Sequence, residues 1–559
     1  MKASKIIALV LALVMVIGLF AGCGKTEPAA PGAPAAPADP AAPAAPAAPA
    51  DPGADEPARD LVVSGEVEPN TVRSDETLTV VLSEEPASLL ASNKIGTHGL
   101  TVTNLLVDMP YNYNQDTGEV EPYLFTAWEW VDDAHTQIKC TVREGVIASD
   151  GSVFNADDVY FSLKEYKEMG GSQFIELVDI EKTEVVDEYN IIIGVASGNP
   201  TFLESMCNRG TVFMLDESSY LAGGGRENTT VPKYGTGKYN FVEWVPGQYI
   251  LLERNENHWD TKNVPYYKFI KFTFVPDAAT RIMNIQSGNA DVAVAINVGQ
   301  ATELIGDEKC GVTFVSTQNA NRIFLNSLEG HPTADIKVRQ AIRYALNPEM
   351  LNMVHSNGVA PIEPYYITSE SKYYFDPTNG AGIEYSPEKA KQLLEEAGYG
   401  DGLVINGLAQ AQATGLMTAA QAMLKEVGIT LEFITPDVPT YLEKSKAGDF
   451  DLIFTETANC GKFFRDKIVF SVIEPGCVWP GNPQIDDPEL LALVKTATGS
   501  LNEEEAVEAI YDIVQYVYDD VWVLGLGRTL NAVAHNPGLE GFYAGTGTSI
   551  DVSLIRPIS

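Results

Sequence analysis

The chain has little of what metal proteins, hydrolases and nucleic-acid binders carry. It holds 6 cysteines and 6 histidines in 559 residues. The cysteines are Cys23, Cys140, Cys207, Cys310, Cys460 and Cys477, with no C-x-x-C among them, which excludes a metal knuckle or a dense disulfide framework. The histidines (His98, His135, His258, His331, His355, His535) lie far apart, and none has an i, i+4 histidine partner that would seat a metal on one helix face. They are expected as surface or capping residues, except that His98, in Gly96-Thr97-His98-Gly99, is a candidate pocket group. There is no G-x-S-x-G, H-E-x-x-H, G-x-x-x-x-G-K or G-x-G-x-x-G. No catalytic residue, metal or cofactor is therefore expected. Basic residues are scarce as well, 37 Lys and Arg against 76 Asp and Glu, and a net charge of −39 argues against nucleic acid or an anionic membrane surface as partner.

No apolar run is long enough to span a bilayer, which needs roughly 20 residues. The longest, Ile6 to Phe20, follows Lys2 and Lys5 and ends in Ala21-Gly22-Cys23, so it reads as an export signal. A thiol directly after two small residues is what lipoprotein processing requires, because the sulfur takes the diacylglycerol. The segment resembles a bacterial lipobox, with Phe20 where Leu is usual. The expectation is a signal over 1–22 and lipidation at Cys23, which places the mature protein on the outer face of the cytoplasmic membrane. In an exported chain Cys460 and Cys477 have the option of a disulfide. The other thiols are expected to be mostly buried, and one at least must be free.

Residues 23–75 form an Ala/Pro-rich linker, and proline at every third position removes helix donors and favours an extended path. Such a tract, at about 3.1 Å per residue, holds a folded body up to roughly 100 Å from the lipid. Folding is expected to begin at the strand-like Thr77-Leu78-Thr79-Val80-Val81-Leu82. The remaining length exceeds what one core sustains, so two or more lobes are expected.

That body alternates β-rich runs with amphipathic helices. Ser386-Pro387-Glu388 opens a helix with an N-cap, proline at the first helical position and an acid at the positive dipole end. Ala390, Leu393, Leu394 and Ala397 form its apolar stripe and Gly398 stops it, and it should pack on a sheet. Another helix starts at Asp335 with Val338, Ala341, Ile342 and Ala345 inward. A third starts at Asn155, with Asp158 in a capping-box variant. With strands at Lys271–Val275 and Asp451–Phe454 between helices, the class is α/β.

The same segments carry a family likeness. Cys140-Thr141-Val142-Arg143-Glu144-Gly145-Val146, Ser149-Asp150-Gly151 and Asn155-Ala156-Asp157-Asp158-Val159 are preceded by Gly118-Glu119-Val120-Glu121-Pro122-Tyr123-Leu124. Gly235-Thr236-Gly237-Lys238-Tyr239, Ser287-Gly288-Asn289-Ala290-Asp291-Val292 and Val338-Arg339-Gln340-Ala341 follow in order. The chain resembles the family-5 extracellular solute-binding proteins, the peptide- and nickel-type receptors of bacterial ABC importers. Most of these motif residues read as fold determinants: Gly145, Gly151 and Gly237 suit turns needing positive φ, and Asp150 and Asn155 suit turns and caps.

The resemblance implies a two-lobed periplasmic-binding-protein-like fold (type II, cluster C-like) with an extra inserted subdomain. Lobe I would span 76–320 with the insert at about 108–230, lobe II 321–522, and 523–559 would return to lobe I. The two crossings would lie near Ser316–Phe324 and Val521–Leu526. Candidate solute contacts are Tyr111 and Tyr113 in the first lobe and Tyr365, Tyr366, Tyr373 and Tyr374 in the second, with Phe324 and Asn326 by family position. After Asp449-Phe450-Asp451-Leu452, peptide binders of this family place an aspartate that pairs with the peptide's α-ammonium. Here Asn459 or Cys460 stands there, with Lys462, Phe463 and Arg465 following. A neutral amide offsets a desolvated ammonium less well than a carboxylate, by on the order of a few kcal/mol, while Lys462 and Arg465 suit a carboxylate or phosphate.

The function expected is that of a lipid-anchored, monomeric receptor that captures a peptide or other small organic solute, including sugars and metal chelates, and delivers it to ABC permease subunits. The alternatives are a secreted hydrolase, which would need a nucleophile beside a base in the cleft, and a module that binds cell-wall polymer.

Overall fold

The computed structural model describes residues 62–63 and 69–558, with breaks at 91–95, 115–118, 170–174, 197, 208–211, 229, 231, 366, 370, 458–487 and 545–548. The export signal, Cys23, the Ala/Pro tract, Tyr366, Asn459, Cys460, Lys462, Phe463, Arg465 and Cys477 lie outside the described residues.

Strands in chain order are β1 (Val62–Val63), β2 (Thr77–Leu82), β3 (Tyr111–Tyr113), β4 (Val120–Pro122), β5 (Phe125–Trp130), β6 (Gln137–Val142), β7 (Val178–Asp187), β8 (Asn190–Val195) and β9 (Tyr239–Val245). They continue with β10 (Tyr249–Arg254), β11 (Phe269–Phe274), β12 (Val292–Ile296), β13 (Gly311–Leu325), β14 (Leu403–Leu408), β15 (Ile429–Ile434), β16 (Leu452–Thr457) and β17 (Val523–His535). Among the described residues the largest sheet has eleven strands in the order β15-β14-β16-β13-β17-β12-β2-β11-β10-β9, with β1 on β13. A separate sheet, β5-β6-β8-β7, belongs to the stretch between β4 and β9, and the helix Ala156–Met169 packs on β7.

Alternation of side chains across the strands gives each half of the large sheet a core on both faces. In β2, Val80 enters one apolar cluster, which extends into the β5–β8 insert through Phe154 and Phe202, and Val81 enters another with Ala293 and Phe314. In β13, Ile323 and Leu325 face a third cluster with Val338 and Ile405, while Phe324 faces a fourth with Ile453 and Ile510. The result is a two-lobed α/β body in which, among the described residues, only β13 and β17 run through both halves of the sheet.

The capped helices form where the sequence places them. Asp335 caps Ile336–Ala345 by accepting from Lys337 N, and Val338, Ala341, Ile342 and Ala345 are buried. Ser386 caps Pro387–Glu396 by accepting from Lys389 N, and Gly398 follows at φ +84°. Asp158 accepts from Asn155 N at 2.9 Å. Two expectations need correction. Pro387–Glu396 packs chiefly on the helix Ile336–Ala345 rather than on a sheet, because its inward Ala390 and Leu394 meet that helix's apolar face. Gly145 and Gly151 do have positive φ, but Gly237 does not. Gly237 is needed because the backbone at Leu105 and Leu106 lies where a Cβ would sit.

Candidate functional site

In the first half of the sheet, β2, β11 and β12 are mutually parallel, and β12 runs along β17 from His535 toward Ala532. In the second half, β14 and β16 are parallel, and β16 runs along β13 from Leu325 toward Ala320. The carboxyl ends of both strand sets therefore point at one place, the middle of β13 and β17. In open α/β sheets the crevice beyond the carboxyl ends of the strands is where ligands bind.

The ladder is irregular there. Ser316 pairs with Leu530 and Ala320 with Arg528, so three β13 residues oppose Thr529 alone. One step on, Asn321 pairs with Gly527 and Arg322 with Gly525, which leaves Leu526 as the extra residue on β17. Each crossing strand thus carries its own bulge, and bulges bend and twist the strands that hold them.

The seam is lined by polar groups that are buried and bonded. Thr317 Oγ1 donates to Thr529 O at 2.8 Å. Asn321 Nδ2 lies 2.8 Å from His355 Nε2 and 3.3 Å from Thr529 Oγ1. Arg528 Nη2 donates to Glu363 Oε1, in an ion pair whose side chains are 4% and 1% exposed, and Arg528 Nη1 reaches Ser316 Oγ at 3.2 Å. Ser369 donates to both oxygens of Glu363, through N at 2.8 Å and Oγ at 3.0 Å. The loop bearing Glu363 crosses directly over β17: Arg528 N donates to Pro361 O at 2.9 Å, and the backbone at Glu363 and Tyr365 occupies the space a Cβ on Gly525 would need. Burying so many polar groups costs free energy unless each is satisfied. Replacing a buried ion pair by well-packed apolar groups is often neutral or stabilising, so stability alone does not account for a polar seam.

Above the seam, Arg281 ties the ends of β11 and β12 together by donating to Val275 O, Pro276 O and Ala295 O at 2.8, 2.7 and 2.6 Å. His98 is 9% exposed and lies 2.7 Å from Ser83 Oγ, one residue beyond β2. Burial holds its pKa below the usual histidine value; Glu84 opposes this and Arg281 adds to it. His355 is likewise lowered by burial. His258 and His535 are also buried, so histidine here is more an interior residue than the sequence led us to expect. Among the described residues no three His, Cys, Asp or Glu side chains gather in a metal-binding group.

The remaining candidate residues are placed as follows. Tyr111 is 2% exposed, with its hydroxyl 3.2 Å from Cys140 Sγ and its ring edge-on to Phe125 and Trp128, so it is spent on the insert's core. Tyr113 pairs through its backbone with Val120. Phe324 is enclosed with Ile453 and Ile510. Asn326 brackets the turn before β16, donating to Gly448 O and Phe450 O at 2.9 Å each. Tyr365 is buried against Thr378 Oγ1 at 2.7 Å, and Tyr373 is buried while Tyr374 is half-buried. The structure places His98 near the strand ends, Tyr111 and Phe324 inside apolar clusters, and Asn326 on the backbone of the turn before β16. Glu363, Arg528, Thr317, Asn321 and His355 were missed; the available signal was Gly525-Leu526-Gly527, since glycine inside a strand marks a close backbone approach.

Two lobes joined by two bulged strands, with strand ends converging on a polar seam, are the architecture of a two-lobed solute-binding protein. The chain belongs to the bacterial extracellular solute-binding proteins, family 5: residues 119–460, more than half of its length, match that family's middle region. It is 25% identical to heme-binding protein A of Haemophilus influenzae over 496 residues, covering 82% of this chain and 88% of that protein. It is 23% identical to the oligopeptide-binding protein AppA of Bacillus subtilis, over 72% of this chain and 77% of the relative. The ABC transporter substrate-binding protein CtaP of Listeria monocytogenes shares the fold with a TM-score of 0.76 at 17% identity, over 87% of this chain and all of that one. The chain is thus a substrate-binding protein of the ABC-importer class rather than a secreted hydrolase or a wall-polymer module.

Proposed function

We propose that this protein is a monomeric, lipid-anchored receptor, tethered through Cys23, that encloses a peptide or other small organic solute between its lobes and hands it to an ABC permease without altering it chemically. The observation that carries this reading is the convergence of the strand ends from both halves on the bulged, polar middle of β13 and β17. Solute that touches both halves favours the closed form by its differential affinity, and the closed form is what the permease would read. The lobes would divide at 76–320, with the insert at about 108–230, and 321–522, with 523–559 returning to the first. His98 with Ser83 is one candidate solute contact, and Asn459, Cys460, Lys462, Phe463 and Arg465 are further candidates by the family likeness. The name of AppA supports an oligopeptide and that of heme-binding protein A supports heme. The loss of an aspartate near Asn459 favours a solute without a free α-ammonium at that point. Native mass spectrometry of protein purified without denaturation tests the reading: a defined extra mass identifies the solute. No adduct, and no binding from a panel of peptides, sugars and metal chelates, would remove it.

A further inference from the structure

Besides β13 and β17, the chain passes between the two halves of the sheet along a segment that is not a strand. After the helix Pro348–Ser356, Val359 and Ala360 pack into the first-half cluster that holds Val81, Phe314, Leu530 and Ala532. A short way on, Ile367 packs into the second-half cluster that holds Phe324, Ile453 and Ile510. The residues between lie on β17 and run antiparallel to it. Pro361 O accepts from Arg528 N at 2.9 Å, and the backbone of Glu363, Pro364 and Tyr365 fills the space beside Gly525. The segment therefore spans the same bulged stretch of β17 that pairs with β13.

It is anchored at both ends and in the middle. On the first half, Asn357 Nδ2 donates to Thr302 Oγ1 at 2.6 Å, in the helix Val298–Thr302, and Asn352 Nδ2 donates to Ala360 O at 2.8 Å. On the second half, the Tyr365 hydroxyl meets Thr378 Oγ1 at 2.7 Å. Between these, Glu363 pairs with Arg528 of β17. The sequence Ala360-Pro361-Ile362-Glu363-Pro364 also makes the segment stiff. Each proline fixes its own φ near about −65° and drives the residue before it to an extended conformation, so Ala360, Pro361, Glu363 and Pro364 all have restricted backbones. With one end in each core, this segment must bend whenever the halves rotate about β13 and β17.

We infer that residues 359–365 are a third strut of the hinge, which narrows the range of angles that the empty protein samples. Such a strut presupposes the two-lobed receptor proposed above. A receptor whose open form is already narrow loses less conformational entropy when solute closes it.

The test is electron–electron double resonance on the full chain stripped of bound solute. Nitroxides carried on p-acetylphenylalanine at the exposed positions of Val242 in β9 and Val404 in β14 report the distance between the halves without using a thiol. The double variant Pro361→Gly/Pro364→Gly should broaden the distance distribution by about 1.5-fold or more, and Pro364→Ala should broaden it less. Thr317→Gly, which frees the β13 bulge from Thr529 O, should broaden it too. Pro387→Ala, at the start of a second-half helix, should leave the width unchanged. Native width in both strut variants, with broadening in Thr317→Gly, would overturn the strut and leave the hinge standing. Native width in all four would overturn the strut and the hinge together. Equal broadening by Pro387→Ala would overturn the strut as well, because it would mark a general loosening of the fold.

Discussion

Lys372 Nζ lies 3.4 Å from Glu204 Oε1 and 3.6 Å from Glu503 Oε1. Glu204 sits on the helix Phe202–Met206, whose Phe202 belongs to the core of the insert, whereas Tyr373 beside Lys372 is in the core that holds Phe324 and Ile510. Among the described residues this is the ion pair that joins the insert to the second half of the sheet. A lysine with one acid across the gap and one on its own side can open without losing both partners. Both side chains of the Lys372–Glu204 pair keep some solvent, so its contribution is about 0.2–1 kcal/mol.

Glu204→Gln should therefore weaken solute affinity by roughly 1.5- to 5-fold through the closed form. The effect should shrink at high ionic strength, where partly exposed charges are screened. Calorimetric titration of the recovered solute at low and high salt checks this, and equal affinity in both proteins at low salt would show that the pair does not favour the closed form.

The Arg528–Glu363 pair is different in kind, because both side chains are almost fully enclosed. Glu363→Ala leaves a buried guanidinium without its carboxylate and should destabilise the fold by about 3–5 kcal/mol in denaturant unfolding. Glu363→Gln, which keeps an acceptor for Ser369 N, should cost less. Gly525→Ala should cost about 1–3 kcal/mol by forcing the Glu363–Tyr365 backbone off β17.

Two buried acids pull the stability profile in opposite directions. Burial raises the Asp158 pKa to about 6 despite the N–H groups of Glu217 and Asn155. Its folded value thus exceeds its unfolded one, so it penalises the fold at neutral pH, and the penalty fades as pH falls from about 6 toward about 4. Asp158→Asn should flatten the stability slope in that window. Burial would also raise Asp108, but His258 and hydrogen bonds from Trp259 and Tyr123 hold it below the usual carboxylate range. Asp108 therefore contributes stability that is present above about pH 4 and lost as pH falls through its lowered value. Denaturant midpoints across pH 3 to 7 for Asp158→Asn and Asp108→Asn separate the two.

Cys140, Cys207 and Cys310 are buried free thiols. Burial raises the Cys140 pKa to about 12 and the Cys310 pKa to about 11, so the reactive thiolate is scarce at neutral pH. Peptide-resolved iodoacetamide labelling should leave all three unmodified in the native chain and modify them after unfolding.

What could be read from sequence was what neighbours in sequence decide. Asp335, Ser386 and Asp158 act within three residues of their partners, so their caps were legible. The Glu363–Arg528 and Lys372–Glu204 pairs span 165 and 168 positions and leave no local mark. A tyrosine in a short strand reads the same in sequence whether its hydroxyl meets a solute or, as at Tyr111, a thiol such as Cys140. Gly237 was recognised as necessary for the wrong reason, since close approach and positive φ both select glycine.

Solute bound at the seam is expected to draw the two halves together about β13 and β17. The measurement to make is small-angle scattering of the protein, stripped of bound solute and then saturated with the solute identified by native mass spectrometry. A smaller radius of gyration is expected in the saturated state, and a radius unchanged at saturation would overturn closure about these strands.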